Sequence, residues 1–419
     1  SYSVTGVQTC ALPISGGNVV VAAKQASVKS TFIVLWLAIF VAMLGVGIIS
    51  PLLPTYANTL GASGFMLGLI FGGFSIARMF AMPAVGRLSD RHGRKQFIIA
   101  GLLIQVLAAI GFLFSTSPWQ LVGVRAFQGL AGAMIIPVSQ AYVGEISPDG
   151  KESTYMAWFV VALFGGFGCG PIIGGLIEDY LSFSANFIFL AALCFISFLS
   201  VLCLLPEPKL SQEQSRSRIE VRYRVLLRNP IIRGLFFFRI ANSFGRGIVT
   251  MLLPLFGELQ LHLTTAQVGV VLSTNLLTSA IVQPFFGRLG DKVNRSSLLI
   301  VGTIGQAVSL AMMVFVEGFW QLLAINLMMG VAGAISIPAA GGMMTTEGKK
   351  GGMGGSMAIF NLGMSIGLAS GPILGGVIVD ILHYVGAFLI GATLVLVSII
   401  PVLAIRNHTT NHPPVIADH

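Results

Sequence analysis

Ten residues, Gly86-Arg-Leu-Ser-Asp-Arg-His-Gly-Arg-Lys95, join two long apolar segments, and a degraded copy, Gly287-Arg-Leu-Gly-Asp-Lys-Val-Asn-Arg295, joins two more about 200 residues later. An ordinary basic loop would not reproduce Gly, Leu, Asp and Arg at the same spacings. The pattern restricts the chain to a duplicated membrane protein. Its 419 residues are 55% hydrophobic and only 9% charged, against about 25% charged in a typical soluble domain.

Apolar runs of membrane length fall at about 31–57, 65–86, 97–114, 121–143, 154–177, 183–205, 231–257, 267–287, 297–316, 320–344, 356–378 and 384–405. Hydrocarbon offers no partner to a backbone polar group, so each run is expected to be a helix. Of the 24 Lys and Arg, four (Arg78, Arg125, Arg239 and Arg246) lie within spans, and the other 24 − 4 = 20 fall on one side if both termini are cytoplasmic. That is a positive-inside pattern, and an odd number of spans would break it. The opposite loops carry Glu178, Asp179, Glu258, Glu317 and Asp380. The net charge of +9 therefore follows topology and argues against a nucleic-acid partner.

A shift of 200 or 201 residues superimposes the landmarks of the two halves. Gly45, Gly47 and Pro54 meet Gly245, Gly247 and Pro254; Trp119 meets Trp320; Pro137 meets Pro338. Gly166-x-x-x-Gly170-Pro171-x-x-Gly174-Gly175 meets Gly367-x-x-x-Gly371-Pro372-x-x-Gly375-Gly376. The organisation expected is an N-terminal tail 1–30, a six-helix bundle 31–205, a basic cytoplasmic linker 206–230, a second bundle 231–405 and a cytoplasmic tail 406–419. The segment Val4-Thr-Gly-Val-Gln-Thr-Cys-Ala-Leu-Pro-Ile14 looks like the translation of a DNA-sequencing adapter. Residues 1–15, with Cys10, are accordingly set aside as an expected assembly artefact. The same codons in intact genomic context would overturn that reading. Cys169, Cys194 and Cys203 lie in apolar runs without metal-ligand spacing. Gly348-Lys-Lys-Gly-Gly-Met-Gly-Gly355 lacks phosphate-loop spacing and is expected to be a cytoplasmic loop. No metal or cofactor site is expected.

The loop at 86–95 resembles the signature between the second and third helices of the major facilitator superfamily. Over 31–405 the chain resembles that superfamily's bacterial multidrug-efflux branch. The resemblance implies an all-α fold of twelve transmembrane helices in two pseudo-symmetric six-helix bundles, alternating access around a midplane site, and a monomer in the cytoplasmic membrane of a bacterium or archaeon. It implies that Gly86, Asp90, Arg91, Gly93, Arg94 and Glu145 form a latch between the halves in the outward-open state. Gly86 would allow close approach of a helix, and Arg94 would pair with Glu145. The run Arg125-Ala-Phe-Gln128-Gly129 resembles the span-four motif linked to proton coupling. The Gly-Pro motifs of spans five and eleven, with Gly166, Gly170, Pro171, Gly174, Gly371 and Pro372, resemble the helix-bending motif of exporters and antiporters.

Spans one, four, seven and ten line the cavity in this superfamily. Arg246, about 16 Å from the outer end of span seven, is therefore the leading candidate for a substrate contact, followed by Arg125. Arg78 is also deep, while Arg239 is close enough to the cytoplasmic surface to snorkel. Asn242, Asn275, Asn326, Asn361 and Gln128 are further polar candidates. No Asp, Glu or His lies well inside a span, a departure from many proton-coupled drug exporters. Deep arginines favour an anionic or zwitterionic ligand. Proton coupling would then run through the substrate itself or through Glu145, Glu178 or Asp179 at helix ends. Two functions follow: export of a small amphipathic compound by proton antiport, or carriage of an organic anion. A non-transporting membrane receptor is a third, which the repeat and the paired motifs disfavour. None is enzymatic.

Overall fold

The computed structural model describes residues 16–148, 151–206, 226–290, 293–351, 353–401 and 403. Among them lie eleven helices long and apolar enough to cross a membrane. The N-terminal half contributes α1 (Gly16–Thr59), α2 (Gly64–His92), α3 (Arg94–Leu113), α4 (Pro118–Ile146), α5 (Glu152–Tyr180) and α6 (Phe183–Leu204). The C-terminal half contributes α7 (Pro230–Leu259), α8 (Thr265–Leu289), α9 (Arg295–Met312), α10 (Phe319–Gly351) and α11 (Met353–Val397). Short turns with capping residues separate several of them. Thr264 and Gln267 cap α8 reciprocally, each side chain accepting the other's backbone N–H at 3.3 and 3.0 Å.

At 45 residues, α11 would be roughly 68 Å long if straight, over twice the hydrocarbon thickness. It breaks at His383, whose φ of 57° and ψ of −174° are not helical. The contacts show that the chain reverses there. Along the first arm, 353–382, Gly367 packs on Ile240, Gly371 on Phe244 and Gly375 on Ile248 of α7, in the same direction. Along the second, 384–397, Phe388 packs on Phe256, Gly391 on Ile248 and Val395 on Gly245, in the opposite direction. Eleven helices thus make twelve crossings in two pseudo-symmetric bundles. The last two expected spans are present, joined by a reversal within one hydrogen-bonded run instead of a polar loop. The glycine-rich stretch expected as a loop is helical on both sides of residue 352: α10 runs to Gly351 and α11 starts at Met353. Residues 1–15, most of the linker (207–225) and 404–419 lie outside the described residues, so the artefact and tether readings fall there.

The repeat register is visible in the packing. Gly166, Gly170 and Gly174 of α5 seat on Phe40, Gly47 and Ile48 of α1, as their copies in α11 seat on α7. A Cβ at Gly166 would lie 2.3 Å from the Phe40 carbonyl, and one at Gly367 would lie 2.3 Å from the Ile240 carbonyl. These contacts are close enough that only glycine fits, and they draw the helix backbones together as in other small-residue membrane interfaces.

The core is joined at one end and divided at the other. Toward the face bearing Glu178, Asp179, Glu258 and Asp380, hereafter the acidic face, one cluster contains Ile49, Leu53 and Phe71 from the first half with Ile248, Leu252 and Val268 from the second. Toward the basic face, which bears the 86–95 loop, Leu35, Ile98, Tyr142 and Val201 form one cluster and Ile232, Phe238, Leu299 and Met344 form another. The stripe of α2 that meets the other half continues from Gly64, Gly68 and Gly72 to Pro83, and the matching stripe of α8 continues to Pro284. Both prolines are exposed. The halves are closed at the acidic face and parted at the basic one.

Candidate functional site

The basic end of the N-terminal half is tied by charge. Arg94, at the start of α3, donates from Nη2 and Nε to Glu145 Oε1 on α4, at 2.6 and 2.7 Å. Its Nη1 lies 3.2 Å from Asp90 Oδ1 on α2. Gly93 makes this possible: its φ of 98° turns the chain between two helices in a conformation that other residues rarely adopt. The Arg94–Glu145 pair joins α3 to α4, and the contact with Asp90 adds α2 of the same half. Arg91 is exposed. No atom lies within 4 Å of where a Cβ on Gly86 would sit, so the close approach expected there is not made. The physical reason is the parting of the halves at this face.

The second copy of the loop differs in chemistry. Arg295 sits 201 residues after Arg94 and donates to the carbonyls of Gly290 and Gly342 and to Thr346 Oγ1, each at 3.1 Å. Thr346 stands 201 residues after Glu145, so a neutral hydroxyl replaces the carboxylate. Asn294 does not copy the turn of Gly93. With φ of −59° it caps α9, accepting from Ser296 N–H at 2.9 Å. Asp291 lies outside the described residues.

The deep arginines differ in what surrounds them. Arg125 is only 4% exposed. Its guanidinium lies over the rings of Phe71 and Phe74 of α2, 5.0 and 5.3 Å from their centroids, and donates to Gln128 Oε1 at 2.8 Å. In this conformation Arg125 ties α4 to α2, with the two phenylalanines covering its charge. Arg239 is likewise covered, over Phe360 and beside Met364 of α11. Arg78 runs along Gly132 of α4, with its Nε buried and unpartnered. Arg246 differs in its neighbours: its Nη2 packs into the notch left by Gly333 on α10, where Gln306 and Ser279 also converge.

The expected polar candidates separate in the same way. Asn242 donates to Gln306 Oε1 on α9, holding α7 to α9. Asn275 donates to the Asn326 carbonyl at 3.3 Å, tying α8 to α10. Asn361 is exposed on the first arm of α11, apart from these residues. The first half has a small recess with Met43, Val46, Phe74, Gln128 and Gly132 on its walls. A larger apolar groove of about 470 Å³, with Phe32, Trp36, Tyr155 and Trp158 on its walls, opens between α1 and α5 toward the basic face. The sequence reading did not single it out; the signal was two Trp and a Tyr near the basic ends of paired spans.

The Gly-Pro motifs serve two surfaces at once. One side packs on α1 or α7 of the same half, as described above. The other crosses to the opposite half. A Cβ on Gly269 of α8 would lie 2.1 Å from the Pro171 carbonyl, and one on Gly68 of α2 would lie 2.5 Å from the Pro372 carbonyl. Gly175 abuts Thr265, and Gly376 abuts Gly64. All four contacts lie toward the acidic face.

The sequence profile of the Major Facilitator Superfamily matches residues 35–267 and 235–417. An uncharacterised MFS-type transporter of Methanocaldococcus jannaschii is 28% identical over 385 residues, covering 90% of this chain and 98% of that protein. Multidrug resistance protein 2 of Bacillus subtilis is 26% identical over 369 residues, covering 85% and 90%. The crystal structure of the nucleoside transporter NupG superimposes with a TM-score of 0.76 at 15% identity, covering 90% of this chain and 99% of that one. Twelve crossings, two halves in one repeat register and a profile that matches both of them lead to one conclusion: the chain belongs to the Major Facilitator Superfamily.

Proposed function

We propose that this chain is a secondary active transporter that exports a small amphipathic compound by proton antiport, with the basic face and both termini on the cytoplasmic side of a bacterial or archaeal cytoplasmic membrane. The observation that carries the reading is the placement of the two Gly-Pro motifs. Each is packed against its own half and the opposite one, at the end where the halves close. Rocking one half on the other would separate these contacts and join the parted ends, which is alternating access. The excess of Lys and Arg at the parted end supports a cytoplasmic opening. Export is supported by the multidrug-resistance relative and the resemblance of the motifs. The apolar groove near Trp36 suits the apolar part of an amphipath, and Arg246 a polar head.

Proton coupling is supported by two carboxylates of opposite halves. Glu178 of α5 and Glu258 of α7 lie within electrostatic reach of one another. Glu258 accepts from Thr55 at 2.5 Å and from Thr265 at 3.2 Å, so it touches both halves. Because these groups come together as the acidic face closes, protonating either is thermodynamically linked to that closure. The second reading, an organic-anion carrier, is favoured by the deep guanidinium of Arg246, which has Gln306 and Ser279 beside it. Purified monomeric protein in liposomes with an internal pH dye separates the two readings. Under an imposed pH gradient, proton movement on adding cationic or neutral amphipaths supports antiport export. Anion uptake without proton movement overturns it in favour of the carrier.

The basic-face latch gives a separate expectation. In the outward-open state the parted ends must meet, bringing the Asp90–Arg94–Glu145 triad toward the other half. Asp90→Asn should lower turnover several-fold while insertion and monodispersity stay normal. Wild-type turnover in the same liposome assay would remove the triad from the transport cycle.

A further inference from the structure

We infer that Asp179 and Asp380 are a matched pair of gate residues that hold the acidic face closed by capping helices of the opposite half. Asp380, on the first arm of α11, accepts the Gly64 N–H at 2.8 Å with one oxygen and the Phe65 N–H at 3.0 Å with the other. Asp179, near the end of α5, accepts the Ala266 N–H at 3.1 Å. Gly64 and Phe65 open α2, and Ala266 lies in the first turn of α8. First-turn N–H groups have no partner within their helix, and the positive end of the helix dipole favours a carboxylate.

The two contacts are copies of one another. Asp380 stands 201 residues after Asp179, and Ala266 stands 201 residues after Phe65. Each carboxylate belongs to one half and each capped helix to the other. The glycines beneath fix the reach: Gly376 against Gly64 and Gly175 against Thr265 bring the backbones close enough for a short side chain to bridge.

These caps are not needed to start the helices. Ser63 accepts the Met66 N–H at 3.3 Å, and Thr264 with Gln267 forms a complete capping box. Each helix is thus capped from its own turn, and the aspartate takes N–H groups left over. Its free energy is gained only while the halves touch at this face. It therefore acts on the balance between conformations, since only a contact present in one state and absent from the other can shift that balance. The loss of either cap favours opening to the acidic side.

The test is spin-label distance measurement across the gate, without substrate, so the outcome is independent of what the protein carries. One label pair replaces Tyr180 and His262, the other Asn58 and Ile381; all four positions are exposed and each pair spans the two halves. Asp179→Ala and Asp380→Ala should each raise the open-to-closed ratio about tenfold, the size of one or two charge-assisted hydrogen bonds. The double variant should raise it by about the product of the two, because the sites are separate. Asp380→Asn, which keeps an acceptor without the charge, should fall between. Glu317→Ala removes an acidic-face charge whose residue is exposed and should leave the distances unchanged. Unaltered distances in the folded double variant overturn the inference, as does an equal shift from Glu317→Ala. If the alanine variants do not fold, the asparagine variants carry the same test.

Discussion

Gly269→Leu is expected to reduce transport to background while the protein still inserts and purifies as a monomer. A Cβ at this position would lie 2.1 Å from the Pro171 carbonyl and 2.8 Å from its carbonyl carbon. Both are backbone atoms of a helix that is itself seated on α1, so neither can rotate away. Overpacking a tight contact costs about 1–3 kcal/mol and sometimes more. Most of that strain is relieved if the acidic face opens, because the contact is between halves. A bias of about 3 kcal/mol is roughly 150-fold in a conformational equilibrium. The protein would then rest in the opposite state and cycle too seldom to be measured. Gly68→Leu, at the mate position against the Pro372 carbonyl, should behave alike. Transport in liposomes and the same cross-gate distances check both. Near-normal transport by Gly269→Leu would mean that this contact does not have to close tightly, and alternating access through it would fail.

Arg246→Ala is expected to weaken binding of anionic or zwitterionic transported compounds by about 10- to 150-fold. A charge-assisted hydrogen bond at a site shielded from water is worth about 1.5–3 kcal/mol. Among the deep arginines, Arg125 and Arg239 lie over aromatic rings, and the Arg78 Nε is buried. The Arg246 guanidinium instead packs at Gly333 among polar groups, beside Gln306 and Ser279. Arg246→Lys should recover part of the affinity, since it restores charge without the planar fork. Affinities are read by titrating compounds from the liposome panel. If each transported compound binds the alanine variant as well as it binds wild type, Arg246 belongs to the scaffold.

The spans, the two-fold repeat and the basic and acidic faces were all legible in the sequence, because hydropathy and charge placement act locally and leave a mark in every segment. The triad was legible in part. Its spacing resembles a known signature, and the Arg94–Glu145 pair follows from two helix ends meeting. The state of the halves was not legible, since it depends on contacts between distant segments. Gly86 is the example: the same residue has open space beside it here and would be approached only after the halves rock. Arg125 is another. Its depth followed from counting residues, but its burial depends on Phe71 and Phe74 arriving from α2. His383 concealed the final turn, because no polar loop separates the last two crossings. Asp179 and Asp380 were visible as acidic-face charges, and the 201-residue shift already aligned them. What one chain of letters does not display is that each would reach across to the other half.

That crossing has a consequence for ancestry. Pro171 meets Gly269 and Pro372 meets Gly68, each position being the other's repeat equivalent. In a true homodimer, one patch binding its own copy would produce the same reciprocal pair, an isologous interface. At these glycine–proline contacts the acidic face retains the self-complementarity of two identical subunits. The basic face has lost it, with Glu145 opposed to Thr346 and Gly93 to Asn294. Covalent fusion released one end of the molecule to diverge, while the other must still fit itself.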